Sequence, residues 1–235
     1  MLGGGSITLF HFRGIRVSVD WSWFIVLFLV IIWMTNFFET LLGEGGTTPF
    51  LFGVLSAVGF FGSILLHEFG HAVVAMRNGI GISGIQLWIL GGMARMDREA
   101  DSPGTELKVA LAGPAVTLAI VVVLGILGTL ITGWTDFREA AFHETGAGVS
   151  ALMGLIAWLV AVNALILVFN LLPAYPMDGG RVARAIAWWR TGNRNRATRF
   201  AAGLGRFFGY LFIGGGFVLV ATGDLFGGIS LALIG

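Results

Sequence analysis

The feature that most constrains this chain is the motif His67-Glu68-Phe69-Gly70-His71, an H-E-x-x-H pattern that follows an uncharged, strongly apolar stretch at residues 50–66. Positions i and i+4 share one face of a helix, so both imidazoles can bind one zinc ion, with Glu68 beside them as a general base toward water. Ionisable groups at membrane depth are energetically costly, and their presence there indicates a functional site. The sequence therefore predicts a membrane-crossing helix that carries a metal centre.

The composition is typical of an integral membrane protein. Hydrophobic residues make up 56% of the 235 residues and charged residues 11%, with a mean hydropathy of +0.88, whereas soluble domains carry roughly a quarter charged residues. The first apolar segment lies too deep in the chain and is too long to be a cleaved signal peptide. The lack of cysteine excludes thiolate ligands, and the net charge of +1 leaves no basic domain that would bind nucleic acid.

The apolar segments predict a membrane all-α bundle of about six transmembrane helices, in a single domain at residues 1–235. Five spans are expected at residues 20–37, 49–76, 105–131, 149–172 and 204–222. A polar loop is expected at 133–148, an amphipathic helix at 181–189, and a basic loop at 190–206. The apolar run 225–235 is about half a span, which suggests that the sequence stops inside the sixth helix and leaves room for a regulatory domain or partner beyond it.

Two segments show the alternation that strands favour. Residues 6–19 predict a β-hairpin around Arg13-Gly14, and residues 80–96 predict a membrane-associated β-hairpin or re-entrant segment between spans two and three. Residues 85–90 are either ordinary filler or an edge strand that pairs with an unwound substrate. Lys and Arg concentrate in the segments before span one, after span two and before span five, which predicts a cytoplasmic N-terminus and a motif close to the cytoplasmic side.

A catalytic zinc ion takes three protein ligands and a water. Asp178 is the preferred third ligand, because two prolines and two glycines in residues 170–180 stop the helix and allow the carboxylate to turn into the bundle. Taken alone, Asp178 reads more simply as an aspartate in a turn. The weaker candidates lie in polar ends or charged loops: His11, His143, Asp97 and Asp101.

The pair H-E-x-x-H and N-x-x-P-x-x-x-x-D-G, on separate spans, resembles the site-2 protease family of intramembrane zinc metalloproteases, in its compact prokaryotic form without a PDZ insertion. The resemblance covers nearly the whole chain. It implies one catalytic Zn²⁺ bound by His67, His71 and Asp178, with Glu68 as the general base. It also implies a role for Asn170 near the scissile carbonyl, with an interhelical hydrogen bond as the alternative explanation of this residue. Many members have Asn where this chain has Thr117, so no role is assigned there.

The expected function is an intramembrane zinc endopeptidase that cleaves within or near the transmembrane segments of membrane protein substrates, in regulated intramembrane proteolysis. The expected partners are the lipid bilayer of a prokaryotic cell membrane and a transmembrane substrate. Three alternatives stay open: a membrane zincin acting on soluble or peripheral peptides, a metal transporter using the same three ligands, and a binding protein with a closed structural zinc site. Glu68 argues against the transporter, which has little need of a base.

Overall fold

The computed structural model describes residues 5–89, 91–135, 137 and 150–235, and within these ranges the architecture is mostly helical with one small sheet. The helices are α1 (Trp21–Leu42), α2 (Thr47–Arg77), α3 (Pro103–Thr132), α4 (Ala151–Leu171), α5 (Asp178–Thr191), α6 (Arg194–Ala221) and α7 (Leu225–Ile234). The strands are β1 (Ile7–Phe12), β2 (Ile15–Val19), β3 (Ile82–Trp88) and β4 (Gly91–Met96). His143 and most of the polar loop predicted at 133–148 lie outside the described residues.

Five of the described helices, namely α1, α2, α3, α4 and α6, are long and apolar enough to cross a membrane, with lengths from 21 to 31 residues. At ~1.5 Å per residue even the shortest of them matches a hydrocarbon core of ~30 Å. The segment predicted as a sixth, half-length span forms α7, which has ten residues. Membrane-spanning helices are therefore the main element of the fold.

Two boundaries near the end of the chain differ from the prediction. Helix α5 begins at Asp178, not at residue 181, so the irregular turn before it is shorter than expected. The basic segment predicted as a loop is mostly the first part of α6. Asn193 starts that helix, because its side chain accepts a hydrogen bond from the Arg196 backbone N–H at 3.0 Å.

The two segments predicted as strands form two antiparallel pairs, and together they build a mixed sheet in the order β1-β2-β3-β4. Arg13 and Gly14 both have positive φ angles, 49° and 84°, as a tight hairpin turn requires. Strands β2 and β3 are parallel, with Val17 opposite Ile85 and Val19 opposite Leu87. The expectation of an edge strand at 85–90 is wrong for this sheet, because β2 and β4 flank β3 on both sides, and β4 is an edge.

Contacts within the chain group it into two units, one of Met1–Glu99 with Ala112–Val168 and one of Ala100–Leu111 with Phe169–Gly235. The first unit contains the sheet, α1, α2 and most of α3 and α4. The second contains the beginning of α3, the end of α4 and helices α5 to α7. The single domain predicted for residues 1–235 stays a prediction.

In the first unit, α2 is fixed between the sheet and neighbouring helices. Buried Ile15, Ala72 and Ile85 form a core where the sheet packs on the end of α2. A second core around Met34, Phe38 and Trp158 joins α1, α2 and α4. These contacts fix the helix that carries the H-E-x-x-H motif at both of its ends.

In the second unit, an ion pair links the beginning of α3 to α5. The Arg184 guanidinium contacts the carboxylate of Glu106, which is only 1% exposed. Arg184 also lies over the Tyr175 ring, 5.9 Å from its centroid. Burial raises the pKa of the Tyr175 hydroxyl above its usual range, against the smaller opposing effect of Arg184. Helix α5 is therefore held by both charge and packing.

Candidate metal centre

The two motif histidines lie one turn apart on α2 and face each other. Both are buried, with 5% of His67 and 4% of His71 exposed. Their Nε2 atoms are 3.0 Å apart, close to the roughly 3.3 Å that two nitrogen ligands bound at ~2.0 Å would have in a tetrahedral zinc site. The predicted i, i+4 pair therefore has the spacing that two nitrogen ligands of one zinc ion need.

Thr117 supports this arrangement from α3. Its Oγ1 lies 2.8 Å from His67 Nδ1, and the threonine is 1% exposed. For Nε2 of His67 to bind a metal, the ring proton must be on Nδ1, which then donates to Thr117. No role is assigned to Thr117 from the sequence, because many members of the family that the chain resembles have Asn at this place. The one sequence feature that could have indicated a role for Thr117 is its position four residues after Gly113, on the same face of α3.

Gly113 leaves the space that a bound ion would need. A Cβ built on this residue would overlap with the Nε2 atoms of both His67 and His71. The sequence suggested only packing and a kink for Gly113-Pro114, and the structure does have Pro114 inside α3. Two buried nitrogen donors with a side-chain-free wall beside them fit a zinc ion well.

Glu68 is held by the edge strand of the sheet. It is 9% exposed, and its Oε2 accepts a hydrogen bond from the Ala94 backbone N–H of β4 at 2.9 Å. Gly92 of the same strand lies so close that a Cβ there would come 2.5 Å from Glu68 Cγ. The carboxylate is thereby fixed in one position beside the histidines, which is what a general base requires. Nothing in the sequence pattern connected β4 with Glu68.

Asp178 lies in the second unit, at the first residue of α5. It is 8% exposed and follows the irregular turn of residues 172–177. Gly180 shapes this turn, because a Cβ there would lie 2.7 Å from the carbonyl carbon of Ala174. The two prolines and two glycines that predicted a helix stop do end α4 and start a new helix at the aspartate.

The other polar candidates differ in burial. Asn170, in the last turn of α4, is half-buried. Asn163 is fully buried and donates to Ser63 Oγ at 3.1 Å, an interhelical hydrogen bond between α4 and α2. The weaker ligand candidates in the described chain, namely His11, Asp97 and Asp101, are all exposed.

Comparison with known proteins places this geometry in a family. The model of peptidase family M50 matches residues 55–213, which contain α2, both histidines and Asp178. The chain belongs to peptidase family M50. This M50 protein is also 29% identical to the solved site-2 protease from Methanocaldococcus jannaschii, with a TM-score of 0.61 over 98% of this chain and 90% of that one. The predicted membership of the site-2 protease family is confirmed.

Curated relatives agree with this assignment. Rip3 of Mycobacterium tuberculosis is 36% identical over 98% of this chain and 56% of its own length. The zinc metalloprotease MJ0392 of Methanocaldococcus jannaschii is 31% identical over 86% of this chain and 51% of its own length. The chain thus spans about half the length of the curated relatives it matches. The predicted cofactor is confirmed: the M50 family is a family of metallopeptidases, and zinc is the metal of this centre. Five apolar helices and the family together make this M50 protein an integral membrane protein.

Proposed function

We propose that this M50 protein is an intramembrane zinc endopeptidase that cleaves peptide bonds within or near the transmembrane segments of membrane proteins. The observation that carries the proposal is the buried group of His67, Glu68 and His71 on α2, because α2 is itself one of the five apolar helices. Ionisable side chains buried in a membrane helix are energetically costly and mark functional sites. Chemistry at membrane depth implies a substrate that is also found there.

Three side chains are proposed as zinc ligands, namely His67 and His71 through Nε2 and Asp178 through its carboxylate. Catalytic zinc sites have three protein ligands and keep one position open. Asp178 is supported by its burial and by its place in the N-x-x-P-x-x-x-x-D-G motif of the family. When bound, zinc would supply Lewis-acid polarisation of the scissile carbonyl and of water.

Glu68 is the proposed general base. Its carboxylate takes a proton from the attacking water and later gives it to the leaving amine. The Ala94 N–H donates to Oε2 of this carboxylate at 2.9 Å and holds it in the same turn of α2 as the histidines. We assign to the Asn170 side-chain amide the donation of a hydrogen bond to the oxygen of the scissile carbonyl as negative charge develops there.

The edge strand β4 is the proposed docking element for the substrate. A transmembrane helix hides its carbonyls in its own hydrogen bonds, so the scissile segment must unwind before attack. Among the described residues β4 is the last strand of the sheet, and an unwound segment can pair with it by strand addition. Since β4 also holds Glu68 through Ala94, a strand paired there would lie beside the base.

The active site is proposed to lie near the cytoplasmic side, with a cytoplasmic N-terminus. Arg77 ends α2 only six residues after His71, and the segments rich in Lys and Arg follow the positive-inside rule. Labelling of single cysteines placed at exposed Arg16 and Arg77 in intact cells tests this orientation, because the native chain has no cysteine. Labelling by a membrane-impermeant reagent from outside the cell would contradict it.

The deciding experiment incubates the detergent-purified protein with a synthetic membrane-span peptide, with and without a zinc chelator, and identifies fragments by mass spectrometry. We expect cleavage inside the apolar segment, its loss with chelator and its return with added zinc. A soluble peptide with the same residues around the cleaved bond serves as the second substrate. Equal cleavage of both would favour the membrane zincin that acts on soluble or peripheral peptides. A regulatory domain or partner beyond residue 235 stays a prediction.

A further inference from the structure

A cavity lies in the first unit where the β1–β2 hairpin meets the end of α2. It has a volume of about 310 Å³ and is lined by Phe12, Arg13, Ile15, Phe69, Val73, Met76 and Arg77. That volume is at the lower end of the range of small-molecule sites, ~300–1,000 Å³. The cavity opens to the surface, since Phe12 is 52% and Met76 38% exposed.

The lining combines two cations with an apolar floor. The five residues other than the arginines are all apolar, and none of the described lining residues is acidic. Arg13 lies at the tip of the hairpin, with its guanidinium carbon 5.8 Å from the centre of the Phe12 ring. A ligand that matches this lining carries a negative charge joined to a hydrocarbon portion. A small hydrated anion would make no contact with the apolar residues of the lining.

The position of the cavity identifies the source of such a ligand. Arg77 is the last residue of α2, one of the five membrane-spanning helices, so the cavity lies where that helix leaves the hydrocarbon. The neighbouring strand β1 is exposed along its whole length and presents four large apolar side chains: Ile7, Leu9, Phe10 and Phe12. Exposed aromatic and basic groups at this depth are typical of contact with lipid headgroups.

We propose that this cavity, the hairpin cavity, binds the headgroup of an anionic phospholipid. The phosphate lies between Arg13 and Arg77, and the first methylenes of an acyl chain contact Phe69, Val73 and Met76. These three α2 residues follow an i, i+4, i+7 pattern, and they start two positions after His67, roughly 200° around the helix. The lipid therefore binds on the face of α2 opposite the metal ligands and stabilises the contact between the hairpin and the helix.

The experiment uses the full chain with Met76→Cys, which introduces its only cysteine at the cavity rim. The protein is kept in a neutral detergent, phosphatidylglycerol is added stepwise, and the rate of alkylation by a neutral maleimide is measured. We expect alkylation to slow as phosphatidylglycerol is added and to remain fast with phosphatidylcholine. Ser83→Cys, exposed on β3 outside the cavity, should react at the same rate in both lipids.

Variants that change charge, made in the Met76→Cys protein, distinguish lipid binding in the cavity from attraction of the lipid to the overall charge of the protein. Arg13→Gln with Arg77→Gln should raise the phosphatidylglycerol concentration needed for protection about 30-fold, since each arginine near an anionic headgroup contributes about fivefold. Arg13→Lys with Arg77→Lys should retain most of the protection, which also shows that the fold tolerates changes there. The matched control, Arg196→Gln with Arg199→Gln on exposed positions of α6, changes the net charge equally and should retain protection.

Four results would overturn the proposal. Equal protection by phosphatidylcholine would remove the requirement for charge, and equal protection by soluble glycerol phosphate would indicate a small-anion site. Protection that rises with protein concentration and not with lipid would indicate a second copy of the chain on the hairpin. A loss in the α6 control as large as that in the Arg13 and Arg77 variant would show that the lipid responds to overall charge alone.

Discussion

His67 and His71 lie on one uninterrupted helix of 31 residues, whereas Asp178 is the first residue of a helix that follows an irregular turn. The spacing of the histidines is set by helix geometry alone, because i and i+4 always share a face. The position of Asp178 depends on how the preceding turn folds and on glycines that allow close backbone contact. The three proposed ligands therefore differ in how strongly their positions depend on the surrounding structure.

The largest effect is expected for Glu68 on α2, where a substitution should change the rate of cleavage without changing zinc binding. Glu68→Gln should lower turnover of the membrane-span peptide by about 10²–10⁴-fold, the usual contribution of general acid–base catalysis. Zinc content should stay unchanged, since Glu68 is assigned no bond to the metal. Peptide turnover and zinc per chain are measured together, with the exposed Glu39→Gln as a control of equal charge change. Loss of zinc in Glu68→Gln would mean that the residue is a ligand.

At the residue that follows the turn, Asp178→Ala should weaken zinc binding by more than ~10–100-fold. That range is typical when a metal ligand loses its hydrogen-bond partner. Two histidines alone offer too few ligands for a catalytic zinc site. Competition with a metal-binding dye measures the affinity. Asp97→Ala is the matched control, because Asp97 is exposed and was a weaker candidate for the same role. Unchanged zinc affinity in Asp178→Ala would require a third ligand elsewhere in the chain.

Returning to the helical side, Thr117→Val should lower zinc affinity by ~10–100-fold, because His67 Nδ1 loses its partner. Valine has nearly the same shape as threonine, so packing is preserved while the hydroxyl is lost. Thr117→Ser retains the hydroxyl and should retain most of the affinity. Zinc affinity and the unfolding temperature of the zinc-free protein are measured in parallel. Equal affinity in the valine and serine variants would leave the hydroxyl without a role in positioning His67.

The smallest expected effect concerns the turn before Asp178. Gly180→Ala should reduce the free energy of unfolding by about 1–3 kcal/mol, because the added Cβ would lie 2.7 Å from Ala174. Gly203→Ala is the matched control in α6. A Cβ there meets nothing within 4 Å, so the change should be neutral or stabilising by up to ~1 kcal/mol. Denaturant titration in detergent checks both. Similar effects at the two glycines would show that the turn tolerates a side chain.

Much of the architecture could be predicted because its signals are local. Apolar length indicates a membrane helix, alternation indicates a strand, and the i, i+4 spacing places His67 beside His71. The prolines and glycines of residues 170–180 likewise predicted the break before Asp178. Such patterns depend on neighbours in sequence and need no knowledge of the tertiary structure.

What the sequence missed depends on contacts between distant segments. Gly113 gives no sign that it borders the histidines, and Thr117 differs from the residue found in related sequences. The hydrogen bond from Ala94 to Glu68 joins a strand to a helix 26 positions away. Strand order is non-local in the same way. The alternation at residues 85–90 suggests an edge strand, but β3 pairs with both β2 and β4 and is an interior strand of the sheet.

That parallel pairing has a consequence for biogenesis. Strand β2 is synthesised before α1 and α2, and its partner β3 is synthesised after them. Two successive crossings return the chain to the side of the bilayer from which it started, so the two strands can meet when both helices have inserted but not when only one has. A chain in which α1 fails to insert would leave β2 and β3 on opposite sides. Completion of the sheet therefore comes late in assembly, and since β4 holds Glu68, the base is fixed in place only in correctly inserted molecules.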